Sequence, residues 1–260
     1  MAVNWAEVQK ALVPLKDYED CCRRFQVSFG YPFVVNTFNF TMPALADYSK
    51  KLLGGDSRGR YTEYLSQLTG IISELHAIGV ENVQHLLAHV GTRPKLELFV
   101  EGSGMDALNI ITLLKFLVYW FIPGEKYLGG LVRDDPSISN ALKRLAGLGV
   151  RTNLQLLQQG ITPAGRRSLA DQSGLPLGVI SELVNRADFS RLPWASKATI
   201  SNIIGAGYGS MAQLADADPE KLYADFFAYG KSIGKNLKLG NEIENSYRIA
   251  KIVPMLVRPE

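Results

Sequence analysis

Sliding the chain 70 residues against itself, without gaps, brings residues 75–113 onto residues 145–183. Leu75, Gly79, Val80, Leu86, Leu87, Thr92, Ser103, Gly104, Ile110 and Leu113 then meet Leu145, Gly149, Val150, Leu156, Leu157, Thr162, Ser173, Gly174, Ile180 and Leu183. The identities fall on glycines and apolar positions, where backbone geometry and burial are decided. A shorter match lies 58 residues further on. There AGLGVRTNLQLL (146–157) aligns with IGAGYGSMAQLA (204–215), and Gly147, Gly149, Gln155 and Leu156 meet Gly205, Gly207, Gln213 and Leu214. A chain that repeats a motif in this way is constrained to build the same local structure each time.

Each copy reads alike in physical terms. Apolar residues at helical spacing come first, such as Leu142, Leu145 and Leu148, or Ile200, Ile203 and Ile204. Gly79, Gly149 or Gly207 follows, and glycine there takes the positive φ that ends a helix. Next come an apolar or aromatic residue and then Asn82, Thr152 or Ser210, whose side-chain oxygens suit the N-cap of a second helix. The unit is two short helices joined by a tight glycine turn. No period-2 segment stands out between residues 60 and 260, so an all-α fold is predicted.

Composition supports a globular chain: 47% of the 260 residues are hydrophobic and 20% charged. Two adjacent cysteines, Cys21 and Cys22, cannot form a disulfide framework, which points to a reducing, cytoplasmic setting. The start, MAVNWAEVQKALVPLKDYED, lacks the apolar core of a signal peptide. The most apolar run, 107–122, is interrupted by Lys115 and is short of the roughly 20 residues a membrane span needs. It reads as a buried central helix, and no membrane span is expected. Net charge is +3, unevenly spread: residues 61–135 hold nine acidic against five basic residues, and residues 136–260 fifteen basic against ten acidic. An anion would therefore prefer the second half.

Four segments are expected. Residues 1–60 form an N-terminal cap or oligomerisation segment, 61–135 a divergent helical unit, 136–230 the better-preserved tandem unit, and 231–260 a final helix, with Asn241 as its cap and Pro254 near its end. Within the first, Phe25 to Tyr48 is aromatic and β-branched, with Gly30, Pro32 and Pro43 as breaks. It reads as an irregular, partly extended piece whose aromatics are buried against helices.

Residues 161–193 (ITPAGRRSLADQSGLPLGVISELVNRADFSRLP) and 197–222 (KATISNIIGAGYGSMAQLADADPEKL) carry a threonine start, an arginine before Leu-Ala, a Ser-Gly, a long helix and an Ala-Asp-Phe-x-Arg-Leu step. With these features residues 136–225 resemble the helix-hairpin-helix superfamily. They are most similar to an uncharacterised bacterial domain-of-unknown-function family built from tandem units of that kind. The resemblance implies an all-α fold and, in many members, sequence-independent contact with nucleic-acid backbones through a glycine-rich hairpin ahead of a helix. The family hairpin reads like Leu-Pro-Gly-apolar-Gly. Here it is Leu192-Pro193-Trp194-Ala195-Ser196, with both glycines replaced.

Candidate sites are few. Lys143, Arg144, Arg151, Arg166, Arg167 and Lys197 form a basic set for nucleic acid. The first copy has Leu96 and Glu97 where the second has Arg166 and Arg167, so the arginine pair reads as an addition to the fold's needs. Gly205-Ala206-Gly207-Tyr208-Gly209 imitates a dinucleotide loop but reads as a structural turn. His85 and His89, four apart, and nearby His76 make an incomplete metal set, so no metal is expected. Cys22, beside Arg23 and Arg24, is expected to have a lowered thiol pKa. The acidic groups Asp17, Glu19 and Asp20, and Asp134 with Asp135, read as solvated turns. No nucleophile elbow or phosphate loop is present in the sequence, so no enzyme activity and no cofactor are expected. The expected function is a non-catalytic binding or scaffold role toward a protein partner or a second copy. Weak nucleic-acid binding is the alternative.

Overall fold

The computed structural model describes the backbone of residues 2–55, 59–132, 136–193, 195–237 and 241–259, and their side chains apart from those of 136, 137 and 241–245. Asp134, Asp135, Trp194 and the capping side chain of Asn241 lie outside the described residues. The described residues form α-helices, one π-helical turn and one 3-10 turn, with no strand beyond two isolated bridges. The protein is all-α. Among the described residues no helix is long and apolar enough to cross a membrane. The chain divides into two compact units, Met1–Gly124 and Glu125–Glu260.

The first unit contains α1 (Trp5–Leu12), α2 (Tyr18–Phe29), α3 (Pro32–Phe38), α4 (Met42–Gly54), α5 (Thr62–Ala77), α6 (Val83–Val90), α7 (Arg93–Ser103) and α8 (Ala107–Phe116), the last running into the π-helical turn Leu117–Phe121. The segment from Phe25 to Tyr48, expected to be irregular, is helical. The prolines taken for breaks are helix starts: Pro32 opens α3, and Pro43 lies in the first turn of α4, after the N-cap Thr41. Proline is well placed there, because the first-turn N–H it lacks would have no intrahelical partner. Four of the segment's seven aromatics are inside, and Phe29, Tyr31 and Phe40 are half-buried. Phe25, Phe33, Phe38 and Tyr48 are buried, and Phe121 packs against Phe38, Phe40 and Tyr48 with ring centroids 4.8–5.5 Å apart.

The apolar run 107–122 forms the centre of this unit. Ile110, Ile111, Leu113, Leu114, Phe116 and Leu117 are fully buried, and α8 packs on α1 and α5. Lys115 does not interrupt it. Its ammonium reaches the carbonyls of Ala11 (2.6 Å) and Val13 (2.8 Å) at the end of α1, where free carbonyls concentrate negative charge.

The second unit contains α9 (Pro136–Gly147), α10 (Asn153–Gly160), α11 (Pro163–Ser173), α12 (Leu177–Phe189), α13 (Lys197–Gly205), α14 (Met211–Ala215), α15 (Pro219–Ser232) and α16 (Asn241–Ala250). Helices α10, α11 and α12 pack on one another, and α14 packs on α16. The expected final helix is confined to α16. Beyond Ala250 the chain is non-helical, and Val253 and Leu256 are buried.

Adding 70 to the first residues of α6, α7 and α8 returns the first residues of α10, α11 and α12. The turns agree atom by atom. Gly79, Gly149 and Gly207 have φ of +89°, +81° and +100°. The next residues, Val80, Val150 and Tyr208, donate back to Leu75, Leu145 and Ile203 at 3.0, 2.9 and 3.2 Å. This is the left-handed helix stop that glycine adopts without a Cβ penalty. Asn82, Thr152 and Ser210 then accept from the N–H three residues on, as N-caps do. His85, Gln155 and Gln213 reach back to accept from the backbone N–H of Glu81, Arg151 and Gly209.

A Cβ at Gly149 would meet nothing within 4 Å, so its dihedral is the sole obstacle to a side chain. Gly149→Ala is therefore expected to cost about 1 kcal/mol. Thermal unfolding should show a midpoint lowered by roughly 2–4 °C.

Candidate functional site

The basic set is not one surface. Lys143, Arg144, Arg151 and Arg167 are exposed and Lys197 is half-buried, but Arg166 is 3% exposed. This corrects its reading as a surface arginine. Arg166 occupies the place of Leu96, which is fully buried in the first unit, so the position faces inward in both. The guanidinium is accommodated because it donates to the carbonyls of Gly160 (3.1 Å) and Arg258 (2.9 Å). Arg144, although exposed, donates to the carbonyls of Ser173 and Gly174 at the end of α11. Glu182 is held by Arg186, one turn further along α12, at 2.8 Å.

The hairpin before α13 offers little to a phosphate. Leu192 and Ala195 are buried, and Ser196 is the N-cap of α13, its hydroxyl already accepting from the Thr199 N–H at 3.1 Å. The glycine-rich loop after α13 follows a helix, so it lacks the strand a dinucleotide site requires. Its glycines have local uses. A Cβ on Gly205 would lie 2.1 Å from the Tyr229 ring, Gly207 supplies the positive φ, and Gly209 donates to Gln213.

His85 and His89 lie along α6 with ring centroids 4.8 Å apart, beside a cavity of about 680 Å³. His85 accepts from the Glu81 N–H through Nδ1, at 3.2 Å. Among the described residues no group of three or more His, Cys, Asp or Glu is placed to hold a metal ion.

The cysteine expectation is corrected as well. Both thiols are buried. Burial pushes Cys22 up to about 11, and burial together with the neighbouring Cys22 pushes Cys21 up to about 12. Arg23 and Arg24 turn instead to Asp20, so they do not activate the thiol. At pH 8 neither cysteine is expected to react with a thiol-labelling disulfide in the native protein, whereas both should react once it is unfolded in guanidinium. Fast native labelling of Cys22 would contradict this. The other acids have structural work too. Asp17 caps α2, and Glu19 pairs with Arg93 at 2.6 Å.

Two features escaped the sequence reading. The first is a buried ion pair, Asp188 with Arg191 at 2.6 Å, both side chains 2% exposed. Burial holds the Asp188 carboxyl above the usual carboxylate range, against the pull of the Arg191 guanidinium. Arg191 also donates to the Pro254 carbonyl at 3.0 Å. Together, Arg166 and Arg191 grip the segment after α16 by its backbone, and the Arg258 N–H returns a bond to the Ile161 carbonyl. The signal lay in the Ala-Asp-Phe-x-Arg-Leu step, where aspartate and arginine are one helical turn apart. The second feature is on α15. Leu222 and Phe226 face the core, while Tyr223 and Phe227, also four apart, are 48% and 65% exposed.

Comparison with known proteins gives one positive result: residues 136–239 match a family described as a domain of unknown function (DUF4332). That stretch is less than half of the chain. No curated protein and no solved structure matches it.

Proposed function

We propose that this is a non-catalytic binding or scaffold protein that presents faces of glycine-hinged, helix-hairpin-helix-like units to another protein or to a second copy of itself. The observation that carries this reading is the outer face of α15. Tyr223 and Phe227 put two large aromatic rings into solvent one helical turn apart, and clustered aromatic exposure marks interaction surfaces better than scattered aliphatic residues do. The recurrent turn geometry supports a duplicated unit, and the buried, unactivated cysteines suit a reducing cytoplasmic setting. Light scattering across a concentration series, with capture from lysate in parallel, tests it. The chain should form a defined dimer or retain a defined partner, and Tyr223→Ser with Phe227→Ser should abolish that association without changing the circular dichroism. A strict monomer that retains nothing would contradict the proposal.

A second reading is weak, sequence-independent nucleic-acid binding. The exposure of Lys143, Arg144, Arg151 and Arg167 favours it. Burial of Arg166 takes one cation out of the set, and reversing its charge would disturb folding, so Arg167→Glu is the informative variant. Any complex must weaken steeply between about 50 and 200 mM salt. A gel-shift titration with no complex at low salt removes this reading.

A further inference from the structure

The cavity bordered by α6 and α7 is walled by Ile78, Val80, Leu98 and Phe99, with His85, His89 and Lys95 among its polar groups. Its volume, about 680 Å³, falls in the range of small-molecule sites, roughly 300–1,000 Å³. Residues 61–135 are acidic overall, yet no aspartate or glutamate lines this cavity. The Nδ1 of His85 is occupied as an acceptor by the Glu81 N–H, so in the neutral ring Nε2 carries the proton. That ring suits an anion rather than a metal ion, which would need a bare Nε2.

The second unit supplies an internal control, because the same turn recurs there 70 residues on. Ala88, His89, Leu98 and Gly102 correspond to Gln158, Gln159, Ser168 and Gln172, an ordinary polar surface. Ile78, Val80 and Phe99 meet apolar Leu148, Val150 and Leu169, so it is Ala88 and Leu98 whose apolar side chains the fold does not call for. Leu98 is 68% exposed, and a Cβ at Gly102 would meet nothing within 4 Å, which leaves the cavity open where the second unit carries a glutamine. Nor does the turn require an imidazole at position 85, since Gln155 and Gln213 make the equivalent bond.

We infer that this cavity binds a small amphipathic carboxylate. Lys95 and the His85 Nε2–H take the acid group, and Leu98, Phe99 and Ile78 cover the hydrocarbon. This goes beyond the scaffold reading and stands independently of it. Calorimetric titration of the full chain with sodium octanoate, and in parallel with 1-octanol, tests it. One saturable octanoate site is expected. Lys95→Gln should weaken octanoate at least fivefold while changing octanol less than twofold. Leu98→Ser with Gly102→Gln, the residues of the second unit, should weaken both at least tenfold, with circular dichroism and melting temperature retained. No saturable binding, several sites insensitive to these variants, or a Lys95→Gln protein with unaltered octanoate affinity would overturn the assignment.

Discussion

Asp188→Ala is expected to destabilise the second unit by about 3–5 kcal/mol, because it leaves the Arg191 guanidinium buried without its carboxylate. The cost comes from desolvation. A charge removed from water is tolerated only while an opposite charge and hydrogen bonds replace the water. The exposed Lys50–Asp47 pair in the first unit is the control, since Asp47→Ala there should cost no more than about 1 kcal/mol. Chemical denaturation followed by circular dichroism separates the two outcomes. The direction of the Asp188 shift adds a pH signature. Its folded pKa lies above the unfolded value, so the folded state holds the proton more tightly. Its contribution to stability is then greatest below the unfolded value, near 3.8, and is lost as the pH rises through the folded pKa. Asp188→Asn should flatten that component of the acid-side profile.

Deleting residues 251–260 is expected to cost at least about 3 kcal/mol, since the Arg166 and Arg191 guanidinium groups would lose the carbonyls of Arg258 and Pro254. Burial of Val253 and Leu256 would be lost with them. The remaining helices, α9 to α16, would then hold two cations facing a vacated groove. Replacing Arg166 by leucine, the residue of the first unit, should make the deletion less costly than it is in the native chain. The comparison is a double-mutant cycle, and coupling is expected because the side chain touches the deleted segment. Independent, additive effects would show that the segment merely lies on the surface.

The helical character and the turns could be read from residues alone because their chemistry is local. Gly79, Gly149 and Gly207 are needed for a positive φ, and Asn82, Thr152 and Ser210 are the residue types that cap helices. The segment from Phe25 to Tyr48 misled because proline has two meanings: it breaks a helix interior but opens a first turn, and only neighbours such as Thr41 tell these apart. Arg166 misled because adjacent arginines suggest a solvated patch. Its alignment with Leu96 already placed it on the inward side of α11, but nothing local revealed the carbonyl of Arg258, 92 residues away, that makes burial tolerable. On α15, Leu222 and Phe226 alternate with Tyr223 and Phe227. A helix with two such pairs has two candidate inner faces, and only tertiary packing selects one.

A photo-crosslinking residue introduced at position 227 tests the central claim, that the outer face of α15 holds a macromolecular partner. Activation in the full chain, alone and in lysate, should give a discrete crosslinked product from position 227 and none from position 220, which is exposed at the start of the same helix. No product from 227, or equal yields from the two positions, would contradict it.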